Sequence, residues 1–447
     1  MTPAPVNARR QILRLSWPIM LSNVTVPLVG AVDVAVIGHQ PDAAQLAGLG
    51  LGAAIFSMAF FAFNFLRMGT TGPTAQAVGS EDMGEVRAIL LRALTLAAGI
   101  GVVLVLARPV IAWAALGAAE AEPEVEAAAE AYLSIRLLAA PAALAEIALV
   151  GWLWGLQDTR SAFLVQVVTN LINIVLDLWF VLELGWGVEG AAAASAIAHI
   201  SGCALGLYIV WRKLRGFEIR MSVKVLDWPR IRQMMLVNRD IFIRTVCVVG
   251  GFLLFRMEAN AFGAVEAAAI EALFQFVAIS AYALDGVSHA VEPMVGRAVG
   301  RKDPDALKRA ARAAFEAGGV IAVIFSGALI IFGPFVVRQF TDIPDVLAAA
   351  ETRYLWAALL PAFSVWCYLL DGMFLGAALG RTVRNAMLQT MAFYLVALYT
   401  LPTLMGVDGL WLAIVIFNVV RAATLALAWN ALIGSSAKQT QETPSHG

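Results

Sequence analysis

Asp177 stands in NLINIVLDLWFVLE (170–183), a carboxylate among Leu, Ile, Val, Trp and Phe. Asn170 and Asn173 precede it at i, i+3 and i+7, so the three form one polar stripe on a helical face. Amide oxygens beside a carboxylate can steady a protonated acid or hold a hard cation such as Na⁺. The same spacing also suits plain hydrogen bonding between helices by Asn. Three more acids sit in apolar runs: Asp33 in VGAVDVAVIG, Asp285 in AYALDGVSH and Asp371 in CYLLDGMFLG. In a membrane each such charge costs at least about 2.5–3.5 kcal/mol at the bilayer centre. These side chains are therefore expected to face a water-filled cavity or another helix, where a carboxyl can take up and release a proton. For Asp285 and Asp371 a structural hydrogen bond between helices is nearly as good a reading. His289 and Glu292 follow Asp285 within two turns and could extend a proton path, although Glu292 also reads as a helix end. Glu146 could pair with Arg136, three turns before it, and His199 reads as a packing residue. Pro18 and Pro27 stand upstream of Asp33 and would kink its helix, making them candidate hinges.

The elements that must position these groups follow from composition. The 447 residues are 60% hydrophobic and 14% charged, against about 25% charged in soluble proteins. Mean hydropathy is +0.79. There is too little polar surface to cover a water-soluble particle, so the chain reads as all-α integral membrane. A net charge of −1 gives no sign of a nucleic-acid partner. Cys203, Cys247 and Cys367 are scattered through apolar stretches and suggest neither disulfides nor a metal site. No phosphate loop, HExxH or GxSxG motif is present, so nothing suggests an enzyme or a bound cofactor.

Spans of about 20 apolar residues can be placed at roughly 12–37, 45–68, 86–113, 129–155, 160–183, 188–212, 237–262, 266–296, 306–338, 348–378, 382–405 and 407–433. Basic residues recur on alternate connections: Arg9, Arg10 and Arg14; Arg87 and Arg92; Arg212, Lys213 and Arg215; Arg301, Lys302 and Lys308; Arg381 and Arg384. The loops between carry EAEPEVEAAAE (120–130) and DIPDVLAAAE (342–351). By the excess of Lys and Arg on the inner side, both termini are expected in the cytoplasm. The expected organisation is an N-lobe at 1–213, a cytoplasmic linker at 214–236, a C-lobe at 237–434 and a cytoplasmic polar tail at 435–447.

An internal repeat supports the two lobes. AQAVGSEDMGEVRAI (75–89) aligns with GRAVGRKDPDALKRA (296–310) at an offset of 221. The same offset matches Gly151 with Gly372, Gly155 with Gly376 and Arg160 with Arg381. GVEG (187–190) pairs with GVDG (406–409) at an offset of 219. Each half then holds six spans, so matched landmarks share a membrane side and the repeats are parallel, as in many transporters. At offset 221 Asp177 maps onto Leu398, Asp285 onto Asn64 and Asp371 onto Val150, so the lobes share a scaffold and not an ion site.

LSWPIMLSNVTVPLVGAVDVAVIGH (15–39) resembles the first-helix signature of the multidrug and toxic compound extrusion (MATE) transporters, and NLINIVLDLWFV resembles their fifth helix. LDGVSHAVEPMVGRAVGRKD (284–303) and LDGMFLGAALGRTVRNAM (370–387) look like the DinF-type branch. The resemblance implies twelve helices in two six-helix lobes. It also implies a secondary antiporter, a monomer of the plasma (inner) membrane, exporting small organic, often cationic compounds against inward H⁺ or Na⁺. By the same resemblance the cation cluster would be Asp33, Asn173, Asp177 and Ser195, with Na⁺ as one candidate ion. Ser195 stands where relatives commonly have Thr, Val34 where Thr is frequent, and Glu146 in a region where Asn is frequent. The wider superfamily also includes flippases for lipid-linked precursors. A basic interior would favour that alternative, and the buried charges read here are mainly acidic. An integral-membrane enzyme would need a nucleophile or metal cluster, and none is visible.

Overall fold

A computed structural model describes residues 7–38, 43–117, 119, 121–215, 227–338 and 342–437. The middle of the expected linker (216–226) and the end of the expected tail (438–447) lie outside the described residues. The helices are α1 (Ala8–Gly38), α2 (Ala43–Ala62), α3 (Phe65–Gly79), α4 (Met83–Gly117), α5 (Pro123–Leu138), α6 (Ala140–Gly155) and α7 (Thr159–Asp177). A π-helical turn, Leu178–Glu183, follows directly, then α8 (Gly187–Leu214), α9 (Trp228–Asn260), α10 (Ala264–Gly300), α11 (Pro304–Val337) and α12 (Pro344–Gly376). The chain ends with α13 (Gly380–Met405), α14 (Val407–Leu427) and the short α15 (Trp429–Ser435).

These helices supply the twelve expected spans. Among the described residues, nine stretches are long and apolar enough to cross a bilayer alone, with α2 and α3 forming one of them. A tenth span is α5 with α6, bent by 55° where Pro141 opens α6. The other two are α1 and α9, whose ends carry Arg9, Arg10 and Arg14 in one and Arg230, Arg232 and Arg239 in the other. Leu106, Trp113, Val323, Ile331 and Leu427 lie exposed, a surface suited to lipid and unsuited to water.

The chain divides into two compact units, Leu21–Met234 and Met1–Met20 with Met235–Gly447. Helix α1 therefore contributes its first turns to one unit and the remainder to the other, just after the buried Pro18. Pro27 falls farther along α1; its side chain lies outside the described residues. The core of Leu21–Met234 gathers Ile37, Leu49, Phe56, Tyr132, Leu133 and Val181. That of the other unit stacks Phe255, Phe274, Trp411, Phe417 and Tyr394.

The repeat reappears in backbone detail. A side chain at Gly151 would run into the backbone of Arg67, and one at Gly372 into the backbone of Ser288. Gly155 packs in the same way on Thr71, and Gly376 on Glu292. Each contact in the first half maps onto its counterpart at offset 221. Among the described residues the only non-glycine positive φ values fall at Glu81 (61°), Lys302 (56°), Gln157 (63°) and Ala378 (56°), again two pairs at that offset. Each residue ends a helix in a Schellman turn. The N–H of Asp82 donates to Ala77 O at 2.9 Å and that of Asp303 to Ala298 O at 3.0 Å. Asp158 donates to Leu153 O at 2.9 Å and Leu379 to Phe374 O at 3.0 Å. The carboxylates of Asp82 and Asp303 then cap the next helix, accepting from Glu85 N–H at 2.9 Å and Ala306 N–H at 2.8 Å.

The halves differ where the candidate chemistry lies. Helix α7 gives way to the π-helical turn immediately after Asp177, whereas α13, with Leu398 at the matching place, stays α-helical to Met405. Local π geometry inside a helix recurs at functional sites.

Candidate functional site

Three pairs of polar side chains tie α1 to α7 within the Leu21–Met234 unit. Ser22 Oγ donates to Gln166, Asn170 Nδ2 donates to Thr25 Oγ1 at 2.6 Å, and Asp33 and Asp177 bring their carboxyls within hydrogen-bonding reach of each other. Asp33 is 8% exposed and Asp177 fully buried. Asn173, also buried, turns toward α8 and donates from Nδ2 to Ser195 Oγ at 3.0 Å. The four residues expected from the resemblance thus gather in one interior region built by α1, α7 and α8. Asn170 belongs to the same stripe, held on Thr25.

Two adjoining carboxylates away from water need a cation between them, whether a proton or a metal ion. Among the described residues, no donor reaches Asp33 Oδ1 or either oxygen of Asp177. The nearest fixed positive charge is Arg136 of α5, close enough for its field to act on both acids. Its guanidinium stacks on the Phe56 ring at 4.1 Å. Among the described residues the site thus has one permanent cation in range of two acids, which leaves charge for a mobile cation to compensate.

Arg136 consequently does not form the expected ion pair with Glu146. Helix α5 bends away from α6 between the two residues, and Glu146 turns instead to α7 and α8. Its Oε1 accepts from Thr169 Oγ1 at 2.8 Å, and its Oε2 lies 2.9 Å from His199 Nδ1. His199 is thus a hydrogen-bond partner of Glu146 and not only the packing residue that its apolar neighbours suggest.

The remaining predicted acids belong to the other unit. Asp371 of α12 is buried and paired with two arginines, accepting from Arg244 Nε of α9 at 3.1 Å and from Arg421 of α14. Asp285 of α10 is half-buried and within electrostatic reach of both arginines, and His289 is half-buried one turn further along α10. Acids still outnumber bases among the buried charges, but Arg67, Arg92, Arg244 and Arg421, which the sequence reading left out, are as buried as the acids. A lone Arg inside an apolar run, as in DIFIRTVCVV and NVVRAATL, carries the same signal that picks out the aspartates. Ser22, Thr25 and Gln166 left no such signal, since single hydroxyls and amides are cheap to place in a helix.

The MatE family pattern matches the chain twice, at residues 18–179 and 241–402, once in each repeat. The chain is 37% identical over 422 residues to DNA damage-inducible protein F of Escherichia coli (strain K12), covering 94% of this chain and 92% of that one. It is 24% identical over 347 residues to "Probable multidrug resistance protein NorM" of Thermotoga maritima, covering 77% and 74%. Among solved structures, it superposes on a MOP superfamily transporter from Pyrococcus furiosus with a TM-score of 0.87 at 21% identity, covering 97% of both chains. An outward-facing multidrug resistance MATE family transporter gives 0.86 at 22% identity and the same coverage. With a family match in each half and a relative aligned along nearly its whole length, this chain belongs to the MatE family of membrane transporters, on the DinF-type branch.

Proposed function

We propose that the protein is a secondary active antiporter that exports small organic compounds, cationic or amphipathic, in exchange for an inward-moving cation by alternating access. The observation that carries this reading is the Asp33–Asp177 pair, two buried carboxyls that lack donors and need a small cation. In this reading a proton, or Na⁺, arrives from outside and binds across the two acids, with Asn173 and Ser195 supplying further oxygens. Binding removes buried charge, which lets α1 bend near Pro18 and Pro27 and weakens the hold on substrate. The cation then leaves toward the cytoplasm and the carrier resets. A potential of 100 mV contributes about 2.3 kcal/mol per charge moved, and each tenfold gradient of a neutral solute costs about 1.4 kcal/mol. One cation per cycle can therefore sustain a substantial gradient.

The names of the E. coli and T. maritima relatives, with their multidrug and damage-response associations, support export of foreign compounds. The orientation drawn from the basic loops supports a place in the inner membrane with both termini cytoplasmic, and the chain works in this reading as a monomer. Dye efflux from inside-out vesicles tests the proposal. Asp33→Asn and Asp177→Asn should each abolish gradient-driven export, and wild-type rates in both variants would end it. A flippase of lipid-linked precursors is the second reading, drawing on Arg244 and Arg421 as diphosphate ligands. Asp371, which already engages both guanidiniums, weighs against it.

A further inference from the structure

The polar face of α7 does not stop at Asn173. Thr169 stands four residues before Asn173 and eight before Asp177, so the three share one face spanning about 12 Å. On α8, Ser195 and His199 are likewise four apart. Two rungs connect these faces. The first is Asn173 Nδ2 to Ser195 Oγ, at 3.0 Å. One turn away, the second runs from Thr169 Oγ1 to Glu146 Oε1 at 2.8 Å and on from Glu146 Oε2 to His199 Nδ1 at 2.9 Å. Gly202 of α8 leaves the space for it, since any side chain there would collide with Thr169 and Glu146.

The second rung differs from the first in being ionisable and in touching the outside. The Glu146 side chain is 8% exposed, the His199 side chain 31%. With Nδ1 turned to the carboxylate, Nε2 is the nitrogen left to exchange protons. The ladder also has a direction. It runs from Asp177 toward the ends of α7 and α8 where Asp158 meets Lys213 at 2.5 Å, beside Arg160, Arg212 and Arg215. That is the basic side, which the loop charges place in the cytoplasm.

We infer that Glu146 and His199 form a second proton-binding station, through which the proton held by Asp33 and Asp177 leaves toward the cytoplasm. The inference rests on the antiporter reading and deepens it, by naming the proton as the ion that travels. The step moves one proton from the aspartate pair to the Glu146–His199 pair and from there to solution. In this proposal the hydroxyls of Ser195 and Thr169 line the way, and the partly exposed edge of His199 is where the proton passes on to water. An imidazole changes charge in the neutral range, and a sodium ion has no use for one paired to a carboxylate. The groups facing the pair are few. Helix α7 presents neutral Thr169, α8 presents His199 and the thiol of Cys203, and α6 presents Glu146 itself. Of the arginines in the same unit, Arg67 stacks on Trp154, Arg92 pairs with Glu85 and Arg136 stacks on Phe56.

The full-length chain in proteoliposomes, with external pH fixed and cytoplasmic-side pH varied, provides one arm of the test. Wild-type efflux should depend on cytoplasmic-side pH. Glu146→Gln and His199→Gln should lose that dependence and turn over several-fold more slowly, with substrate Kd unchanged. Wild-type rates and an unmoved pH profile in both variants would overturn the inference and leave the antiporter intact. Wild-type protein that shows no pH-driven efflux at all would take both down. The second arm needs no transport. With only four histidines in the chain, isotope-labelled His199 can be titrated by NMR. Its ring signals should change with pH in the wild type and change differently in Glu146→Gln; ring signals that do not respond to pH would sink the station by themselves.

Discussion

Asp371 of α12 accepts a hydrogen bond from Arg244 Nε of α9 at 3.1 Å while Arg421 of α14 approaches the same Oδ2, so one buried carboxylate joins three helices. All three side chains are at least nine-tenths buried, which makes the group a structural lock and not a free acid.

Breaking that lock should be costly. Arg421→Met leaves Asp371 half-compensated in a dry interior, and loss of one partner of a buried pair costs about 3–5 kcal/mol. The unfolding midpoint in detergent should fall accordingly. Replacing the whole group with Arg244→Met, Asp371→Leu and Arg421→Met should recover most of the loss, since no buried charge is then left over. If the single variant melts like wild type, the lock contributes nothing to stability.

The matched glycines should behave alike and unlike other helical glycines. Gly151→Ala and Gly372→Ala each push a methyl against backbone, of Arg67 and Ser288 respectively, and backbone cannot step aside. A loss of about 2–4 kcal/mol is expected at both. At Gly99 a methyl would meet nothing within 4 Å, so Ala there should bring little change or a gain of about 0.5–1 kcal/mol from helix propensity. Thermal melts of the three variants side by side check this contrast.

Asn173 and Ser195 can be separated from the acids they adjoin. Ser195→Ala removes the acceptor of Asn173 Nδ2, and a buried donor left without a partner costs about 1–3 kcal/mol. Export should weaken without being abolished, whereas Asp177→Asn should abolish it. Equal losses in the two variants would mean that Ser195 is a cation ligand of the same rank as the aspartate.

Asp158 gives a pH dependence at the membrane surface. Burial pushes its carboxyl up, but hydrogen bonds from Lys213 and from the hydroxyl and backbone of Ser161 outweigh this and hold it below the usual carboxylate value. A group with its folded value depressed adds stability above its unfolded value of about 3.9 and loses it as pH falls through the folded value. The tie between the start of α7 and the end of α8 should therefore persist at neutral pH and fail only below about pH 4. Asp158→Asn should flatten the acid limb of the melting curve below pH 4 while keeping most of the helix cap, since Asn caps nearly as well.

Much of this protein could be read from its sequence. Apolar run length located the twelve spans, because a bilayer demands about 20 apolar residues wherever a helix crosses it. The 221-residue repeat was equally legible, and the paired Schellman turns at Glu81 and Lys302 and at Gln157 and Ala378 show why. Helix ends are local chemistry, settled by residues a few positions apart. Buried carboxylates announced themselves for a similar reason, since an acid in an apolar run is too expensive to be incidental. What no periodicity could supply was the choice of partner. Asp33 meets Asp177 while Asp371 meets Arg244 and Arg421, and Glu146 passes over Arg136 for Thr169 and His199. Those choices depend on where α5 bends and on which faces of α7, α8, α9 and α14 turn inward. Helix-to-helix packing sets them at separations of tens to hundreds of residues, so only the tertiary structure decided which buried charges are locked by arginines and which are left without a donor.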